Sequence, residues 1–354
     1  MTILVSNDAL RAAVRTLFRK AGSSERECTL AADHLVEANL RGHDSHGVGM
    51  IPQYIANLGV NELVLNASPA VVTDTGGMLL CDGGLGLGQT IAHDAVELGI
   101  SRARRDGSCI LFLRNSHHIG RIGHWAEQCA EAGLVSLHFV NVISDPKVAP
   151  FNGLAARLVT NPIAIGIPRP DQAPIIVDFA TSRLAVGKIR VAYNKQEQVK
   201  PGVLIDHQGE PTTDPAVIFE EPGGAIVPFG DHKGWGLALA CELLAGALSA
   251  GGTMSGPRRR PAIINNMLSV IIDPERLGTA PDFVREMESF IAWALMPPAG
   301  RQATVQLAGD PERATRAERL AKGIPIDPTT WEQILQAGEA VGLSRAELAA
   351  AAGL

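Results

Sequence analysis

From about residue 68 the chain divides into short aliphatic or β-branched runs, each bounded by turn residues: PAVVTDTGG, MLLCDGG, SCILFLRN, LVSLHFVNV, PIAIGIP, PIIVDFA and MLSVIID. Runs of this length and composition are strand signals. Several alternate with stretches whose apolar residues recur every three or four positions: TIAHDAVELGISRARRDG, GHWAEQCAEAG and GWGLALACELLAGALSAGG. That spacing predicts helices. Strands and helices each bury one face only against another layer, so their alternation predicts a layered α/β domain.

The two ends of the chain read differently. Ser6 or Asn7 can cap a helix through Lys20 that Gly22 closes. Ser24-Glu25-Arg26-Glu27 has the form of a capping box opening a second helix, with Leu30, Ala31, Leu35 and Ala38 on one face and Gly42 at its end. The polar loop RGHDSHGVGMIPQYI follows, then a third helix from Pro52 to about Leu58. After Pro311 the pattern is helical and charged again, in ERATRAERLAKG, TTWEQILQAGEAVG and SRAELAAAAG. We therefore expect a helical subdomain built from residues 1–70 and 308–354, enclosing an α/β domain over 71–307. The length of 354 residues, at roughly 150 per domain, agrees with two such units.

Composition excludes several classes of partner. Lys plus Arg is 31 against 37 Asp plus Glu, a net charge of −6, so no nucleic acid or anionic membrane is expected to bind by bulk electrostatics. No apolar run approaches ~18 residues, and the N-terminal MTILVSNDALRAAVRTLF lacks the basic and apolar regions of a signal peptide. The expectation is a cytoplasmic protein. Cys28, Cys81, Cys109, Cys129 and Cys241 are odd in number and form no CxxC pair, so they read as small buried hydrophobes in a reducing compartment. The stretch GGTMSGPRRRPAI at 251–263 reads as a surface loop rather than a phosphate clamp.

The glycine cluster DGGLGLGQT at 82–89 lies where a dinucleotide fingerprint would lie, after a strand and before a helix. Its register fails. GxGxxG needs glycines at relative positions 1, 3 and 6, yet Gly84 and Gly86 lead to Gln89, and Gly86 and Gly88 lead to Ile91. No GxxxxGK[ST] phosphate loop occurs either. A dinucleotide, if bound, is not held by the usual Rossmann turn.

The histidines say more. His43 and His46 fall in GHDSHG, and His117, His118 and His124 in RNSHHIGRIGH, whereas His34, His93 and His138 read as packing or solvated residues. Closed zinc sites draw on cysteine or carboxylate at set spacings, and there is no HExxH, so no metal is expected. A neutral imidazole titrating near pH 7 is instead suited to moving the proton of a carbonyl/alcohol interconversion.

The motifs GHDSHG, NSHHIG, TNP (Thr160 to Pro162), DFATS (Asp178 to Ser182), GK (Gly187-Lys188), HKGWGLAL (from His232) and RxxRLxxGIPID (from Arg316) occur in an order that resembles the type-2 malate/L-lactate dehydrogenases, also called malate/L-sulfolactate dehydrogenase-like. The similarity runs from end to end. It implies a non-Rossmann nicotinamide-binding α/β fold, with NAD or NADP as cofactor, a small 2-oxo or 2-hydroxy acid as substrate, and a homodimer. It also implies that His46 is the proton donor/acceptor, with Ser45 and His118 beside it. The cofactor would be lined by His46, by Gly120, Arg121 and Ile122 after His118, and by Thr160. Further lining would come from Ile176, Val177, Asp178, Phe179 and Ala180, from His232 and Lys233, and from Gly309 and Asp310.

Two departures from the family pattern matter. Ala308-Gly309-Asp310 stands where many relatives read PGE, and Met50 stands where several carry the arginine of SHGxxR. A substrate carboxylate still calls for a cation, because a charge-assisted, often bidentate hydrogen bond would otherwise be lost. Arg121 is the expected replacement, with Arg190 or Lys188 next in line and a surface arginine at a helix start as the alternative. Asp44 and Asp178 are both available to orient the imidazole.

Related substrates of the same chemistry include a cyclic imine carboxylate, ureidoglycolate, malate and sulfolactate. Two readings of other classes stand beside this one. The clustered histidines could serve a metal-dependent hydrolase or lyase. The alanine-rich tail SRAELAAAAGL could belong to a non-catalytic helical assembly protein, and it fits equally well as the subunit-contact helix of an enzyme dimer.

Overall fold

The structure is a computed structural model that describes residues 2–255, 262–301 and 304–354. The three arginines Arg258, Arg259 and Arg260, expected in a surface loop, lie outside the described residues.

The chain opens with strand β1 (Ile3–Val5) and helices α1 (Asn7–Ala21) and α2 (Glu25–Leu40). Ser6 caps α1 by accepting from the Ala9 N–H, and Gly22 closes it in the left-handed conformation that glycine adopts without a Cβ penalty. Ser24 likewise accepts from Glu27 N. The capping box is only half formed, however: the Glu27 carboxylate turns to Ser23 Oγ and the Asn66 N–H instead of returning to the cap. Two short 3-10 turns (Asp44–His46 and Val48–Met50) lead into α3 (Ile51–Gly59).

The central layer contains β2 (Ala70–Asp74), β3 (Met78–Asp82), α4 (Gly88–Asp106), β4 (Ser108–His117), α5 (Gly123–Glu131), β5 (Val135–Ile143), β6 (Ile163–Ile167) and β7 (Ile175–Phe179). A lobe then carries α6 (Val186–Lys195) and three two-residue strands, β8 (Leu204–Ile205), β9 (Pro211–Thr212) and β10 (Ala225–Ile226). Helix α7 (His232–Cys241) runs on into a π-helical turn (Glu242–Ala247). Strand β11 (Ile264–Ile272), helices α8 (Pro274–Leu277), α9 (Ala280–Ala294) and α10 (Asp310–Lys322), strand β12 (Ile324–Ile326), and helices α11 (Pro328–Ala340) and α12 (Arg345–Ala351) complete the chain.

The main sheet has the order β2-β3-β4-β11-β5-β6-β7. Only β3 and β4 run parallel among its described pairs. Strand β11, late in sequence, enters between β4 and β5, so Ile264 stands opposite both His117 and Ile143. Alternate side chains leave opposite faces of a strand. On β5, Val140 and Val142 join the apolar cluster under α4 and α5, while Asn141 between them bonds Glu242 of the π-turn. A second cluster unites the chain ends, running from Val5 to Leu63 and from Ile324 to Ala352, with β1 paired to β12. A third gathers residues from Val148 to Ala238. All five cysteines are buried and free.

Candidate active site

The GHDSHG loop is clamped before it presents anything. Asn39, in the last turn of α2, accepts from Val48 N (2.8 Å) and donates to Asp44 (2.6 Å), and Arg319 of α10 bonds the same aspartate. A Cβ on Gly47 would overlap the Asn39 amide, so glycine is required at this close approach. Asp44 is thereby committed to Asn39 and Arg319, and the hydrogen bond that orients His46 comes from its neighbour: Ser45 Oγ lies 2.9 Å from His46 Nδ1. The start of α6 backs Ser45, where a Cβ on Gly187 would overlap the serine side chain. Desolvation lowers the pKa of the half-buried His46 to about 4, with His43 pushing the same way and Asp178 opposing. The ring is neutral at pH 7.

The second histidine segment is the end of β4. A bulge in β11 at Asn265 and Met267 turns two asparagines toward it: Asn266 accepts from Asn115 N and Asn265 from Ile119 N (2.9 Å each). His117 is fully buried, with Nε2 2.9 Å from Asn57 Nδ2. His118 is 8% exposed; its Nδ1 lies 2.6 Å from Tyr54 Oη, and its ring stacks on that of His46 at 5.5 Å. Burial holds His118 well below the usual imidazole range.

The turn into α5 rests on His34. Its Nε2 accepts from Arg121 N (2.9 Å), and its ring stacks on Trp125 at 5.0 Å. Gly120 (φ +72°) passes so close that a Cβ would overlap His34 Nε2. The packing role expected of His34 is therefore met by a histidine that carries the loop. Gly123 N donates to Asp178 Oδ2 (3.0 Å), tying this loop to β7.

Arg121 is 2% exposed. Nη2 bonds Glu127, and Nη1 lies 3.7 Å from Asp178, beyond hydrogen-bond reach. The surface-arginine alternative is excluded by this burial. The guanidinium expected to take a substrate carboxylate already has its charge balanced by protein carboxylates, with the Nη1 edge uncommitted. Arg190 lies over the Phe219 ring at 3.6 Å, and Lys188 is exposed.

The other expected cofactor-lining segments meet along β7. At its start, Ile176 N donates to Ala308 O, Gly309 is buried, and Asp310 is engaged by Leu307 N (2.7 Å) and Arg313. At its end, beyond Val177, Asp178, Phe179 and Ala180, Thr181 donates through both its N–H and its hydroxyl to Thr160 O. Phe229 N in turn donates to Thr181 O, which sets His232 and Lys233, both exposed, at the first turn of α7. The exposed His232 and Lys233 side chains at a helix N-terminus, with Thr160 behind the end of β7, form a donor set that fits an anionic dinucleotide. The glycine cluster at 83–88 fits one poorly. A Cβ on Gly86 would strike Ile91 and Ala67, and one on Gly88 would strike the His117 and His118 carbonyls, so these glycines serve helix packing.

Among the described residues no three His, Cys, Asp or Glu side chains are grouped to hold a metal ion, and the clustered histidines turn to Ser45, Tyr54 and Asn57. The hydrolase or lyase reading has no support in this arrangement. Sequence reasoning missed Tyr54, Gln89, Asn57 and Asn39. A tyrosine on the apolar face of a helix was the available signal, since a buried phenol seeks a partner.

Residues 5–335 match the family model described as malate/L-lactate dehydrogenase. The chain is 45% identical to hydroxycarboxylate dehydrogenase B of Escherichia coli (strain K12), over 96% of this chain and 95% of that one. It is 38% identical to an L-lactate dehydrogenase of Cupriavidus necator, over 88% and 90%. A solved Escherichia coli structure of the malate/lactate dehydrogenase type superposes with a TM-score of 0.93 at 43% identity, covering 99% of this chain and 98% of that one. No helix among the described residues is long and apolar enough to cross a membrane. The chain is an oxidoreductase that belongs to the malate/L-lactate dehydrogenase family.

Proposed function

We propose that this enzyme interconverts a 2-oxo acid and a 2-hydroxy acid with NAD or NADP, held along β7 and the α7 start rather than by a Rossmann turn. The observation that carries this reading is the pair of stacked imidazoles, His46 and His118, each fixed from behind through Nδ1 by a hydroxyl. When bound, the nicotinamide supplies or accepts the hydride. His46 moves the proton of the substrate C2 oxygen: neutral, it accepts that proton during oxidation, and protonated, it returns it during reduction. Ser45 holds the ring in one orientation. Arg121 takes the substrate carboxylate through Nη1, while Glu127 fixes the other edge of the fork.

The test follows NADH and NADPH absorbance against a panel of 2-oxo acids that includes lactate-, malate- and sulfolactate-related compounds. Oxidation of either cofactor by at least one acid, abolished in His46→Ala, is the expected result. Failure of every acid with both cofactors would overturn the reading.

A further inference from the structure

The hydrogen bonds behind His118 define which of its nitrogens carries the proton. Gln89, in the first turn of α4, places Nε2 3.0 Å from Tyr54 Oη and 3.5 Å from the His118 carbonyl oxygen. A carbonyl only accepts, so the amide nitrogen faces this pair, although Gln89 Oε1 is then buried without a partner among the described residues; the flipped amide would set two acceptors against each other. Tyr54 Oη therefore accepts from Gln89. The single phenolic proton is left for the other neighbour, His118 Nδ1 at 2.6 Å. A nitrogen that accepts this bond carries no hydrogen, so in the neutral ring the proton sits on Nε2.

Three further observations bear on what that proton does. His118 Nε2 has no protein partner among the described residues, nor is it among their sealed, unpaired atoms, so it borders accessible space. The ring lies against His46. Tyr54 is fully buried, and burial raises its pKa well above the usual phenol range, so the phenol keeps the proton it donates.

We propose that Gln89 and Tyr54 are positioning residues that lock His118 as its Nε2–H tautomer, making it a fixed donor to the substrate C2 oxygen while His46 alone exchanges the proton. As hydride reaches C2, the carbonyl π electrons pass to oxygen. The Nε2–H bond steadies that growing negative charge without breaking, and the proton that finishes the alcohol comes from His46. The reverse order holds for oxidation. The division explains why two separate segments bring two imidazoles together: a second ring free to titrate would compete for the same proton.

This role in catalysis rests on the dehydrogenase reading, but the tautomer does not. Ring-nitrogen NMR of the 15N-histidine-labelled wild-type protein at pH 7 should show His118 Nδ1 as unprotonated and Nε2 as proton-bearing; a protonated Nδ1 would overturn the proposal whatever the enzyme reduces. The kinetic arm uses Tyr54→Phe. Its kcat should fall about ten- to hundredfold, less than the roughly 10²–10³ for removing an oxyanion donor outright, with the cofactor KM changed by less than about threefold. The same substitution is then made in a His118→Gln background, where an amide N–H2 near the Nε2 position donates without any tautomer to fix. Loss of most of the Tyr54→Phe effect in that background supports the proposal. An equal loss in both backgrounds would mean that Tyr54 only packs, and would overturn it. Absence of any 2-oxo acid reduction by the wild type would refute the dehydrogenase reading and, with it, the catalytic role of His118, leaving only the tautomer assignment.

Discussion

His46 illustrates how a residue's surroundings decide its chemistry. Desolvation and His43 depress its pKa to about 4, so at neutral pH the ring is unprotonated, the state that the proposed proton transfer needs for oxidation. For oxidation, kcat/KM should be flat above about pH 5 and fall below about pH 4. For reduction the protonated ring is needed, so kcat/KM should decline about tenfold per unit as pH rises above 4. Matching profiles in the two directions would remove His46 from this role. His46→Ala should lower kcat by about 10²–10⁴-fold while cofactor binding, followed by nicotinamide fluorescence, survives. Arg121 calls for a different readout, because Arg121→Met also strips Glu127 and Asp178 of their cation. If Nη1 holds the substrate carboxylate, the variant should erase the preference for a 2-oxo acid over its methyl ester by more than about tenfold, and adding Met50→Arg should restore part of it. An unchanged acid-to-ester ratio would place the carboxylate elsewhere. The histidines proposed for the chemistry and their neighbours were legible because His, Ser and Gly crowd two short motifs. Tyr54, Gln89 and His34 were not, because each reads locally as an ordinary helix residue and gains its role only where α3, α4 and α2 converge on the end of β4.

At the scale of elements, strands with β-branched cores and helices with recognisable caps follow from local chemistry. Ser6, Gly22 and Ser24 act where their positions say they should. What local chemistry does not carry is pairing across the chain. Strands β1 and β12 are three residues each, too short for a period, and exist only because the fold of the intervening chain brings Ile3 beside Ile326. The insertion of β11 between β4 and β5 is equally invisible from sequence, yet its bulge and two asparagines are what hold the His118 turn. The glycines before α4 give the sharpest test at this scale. Gly88→Ala must push α4 away from the His117 and His118 carbonyls, which are backbone and cannot swing aside. The expected result is a loss of about 1–3 kcal/mol in urea unfolding, with NADH affinity per folded molecule changed little. Gly120→Ala, strained at φ +72° and pressed on His34, should weaken NADH directly. A stable Gly88→Ala protein with impaired NADH binding would return that glycine to the cofactor.

Across the whole molecule, a line of ion pairs joins the helical ends to the sheet: Arg316 to Glu37 (2.7 Å), Glu37 to Arg41 (2.8 Å), Arg41 to Glu127 (3.0 Å), and Glu127 to Arg121 beside Asp178. Burial works against ionisation of Glu37, but the Arg316 and Arg41 guanidiniums outweigh it and hold its carboxyl below the usual range. The response between pH 6.5 and 4 belongs to the histidines. His34, His117, His118 and His138 are buried, and desolvation holds each below the usual imidazole value: about 4 for His117, about 3 for His138, and well below it for the other two. Unfolding returns each to about 6.5, so between the folded and unfolded values the unfolded chain binds more protons. Stability from this source is complete above about pH 6.5 and is lost as pH falls toward 4. One unit below 6.5, a ring held near 4 withdraws about 1.4 kcal/mol, and since His46 and His124 are depressed as well, these rings together withdraw a large share of the 5–15 kcal/mol that stabilises a typical domain. Urea unfolding at a series of pH values should therefore show steep destabilisation between pH 6.5 and 5.5. His138, bonded to Ser136 and Ser269 between β5 and β11, is the member most easily separated from the active site. His138→Gln should reduce the pH slope in that window by about one sixth, its share among the six depressed histidines, while leaving the activity profile in place. A stability curve flat from pH 7 to 5.5 would show that these rings titrate in the folded protein as they do in the unfolded chain, and the account of burial holding them neutral would fall.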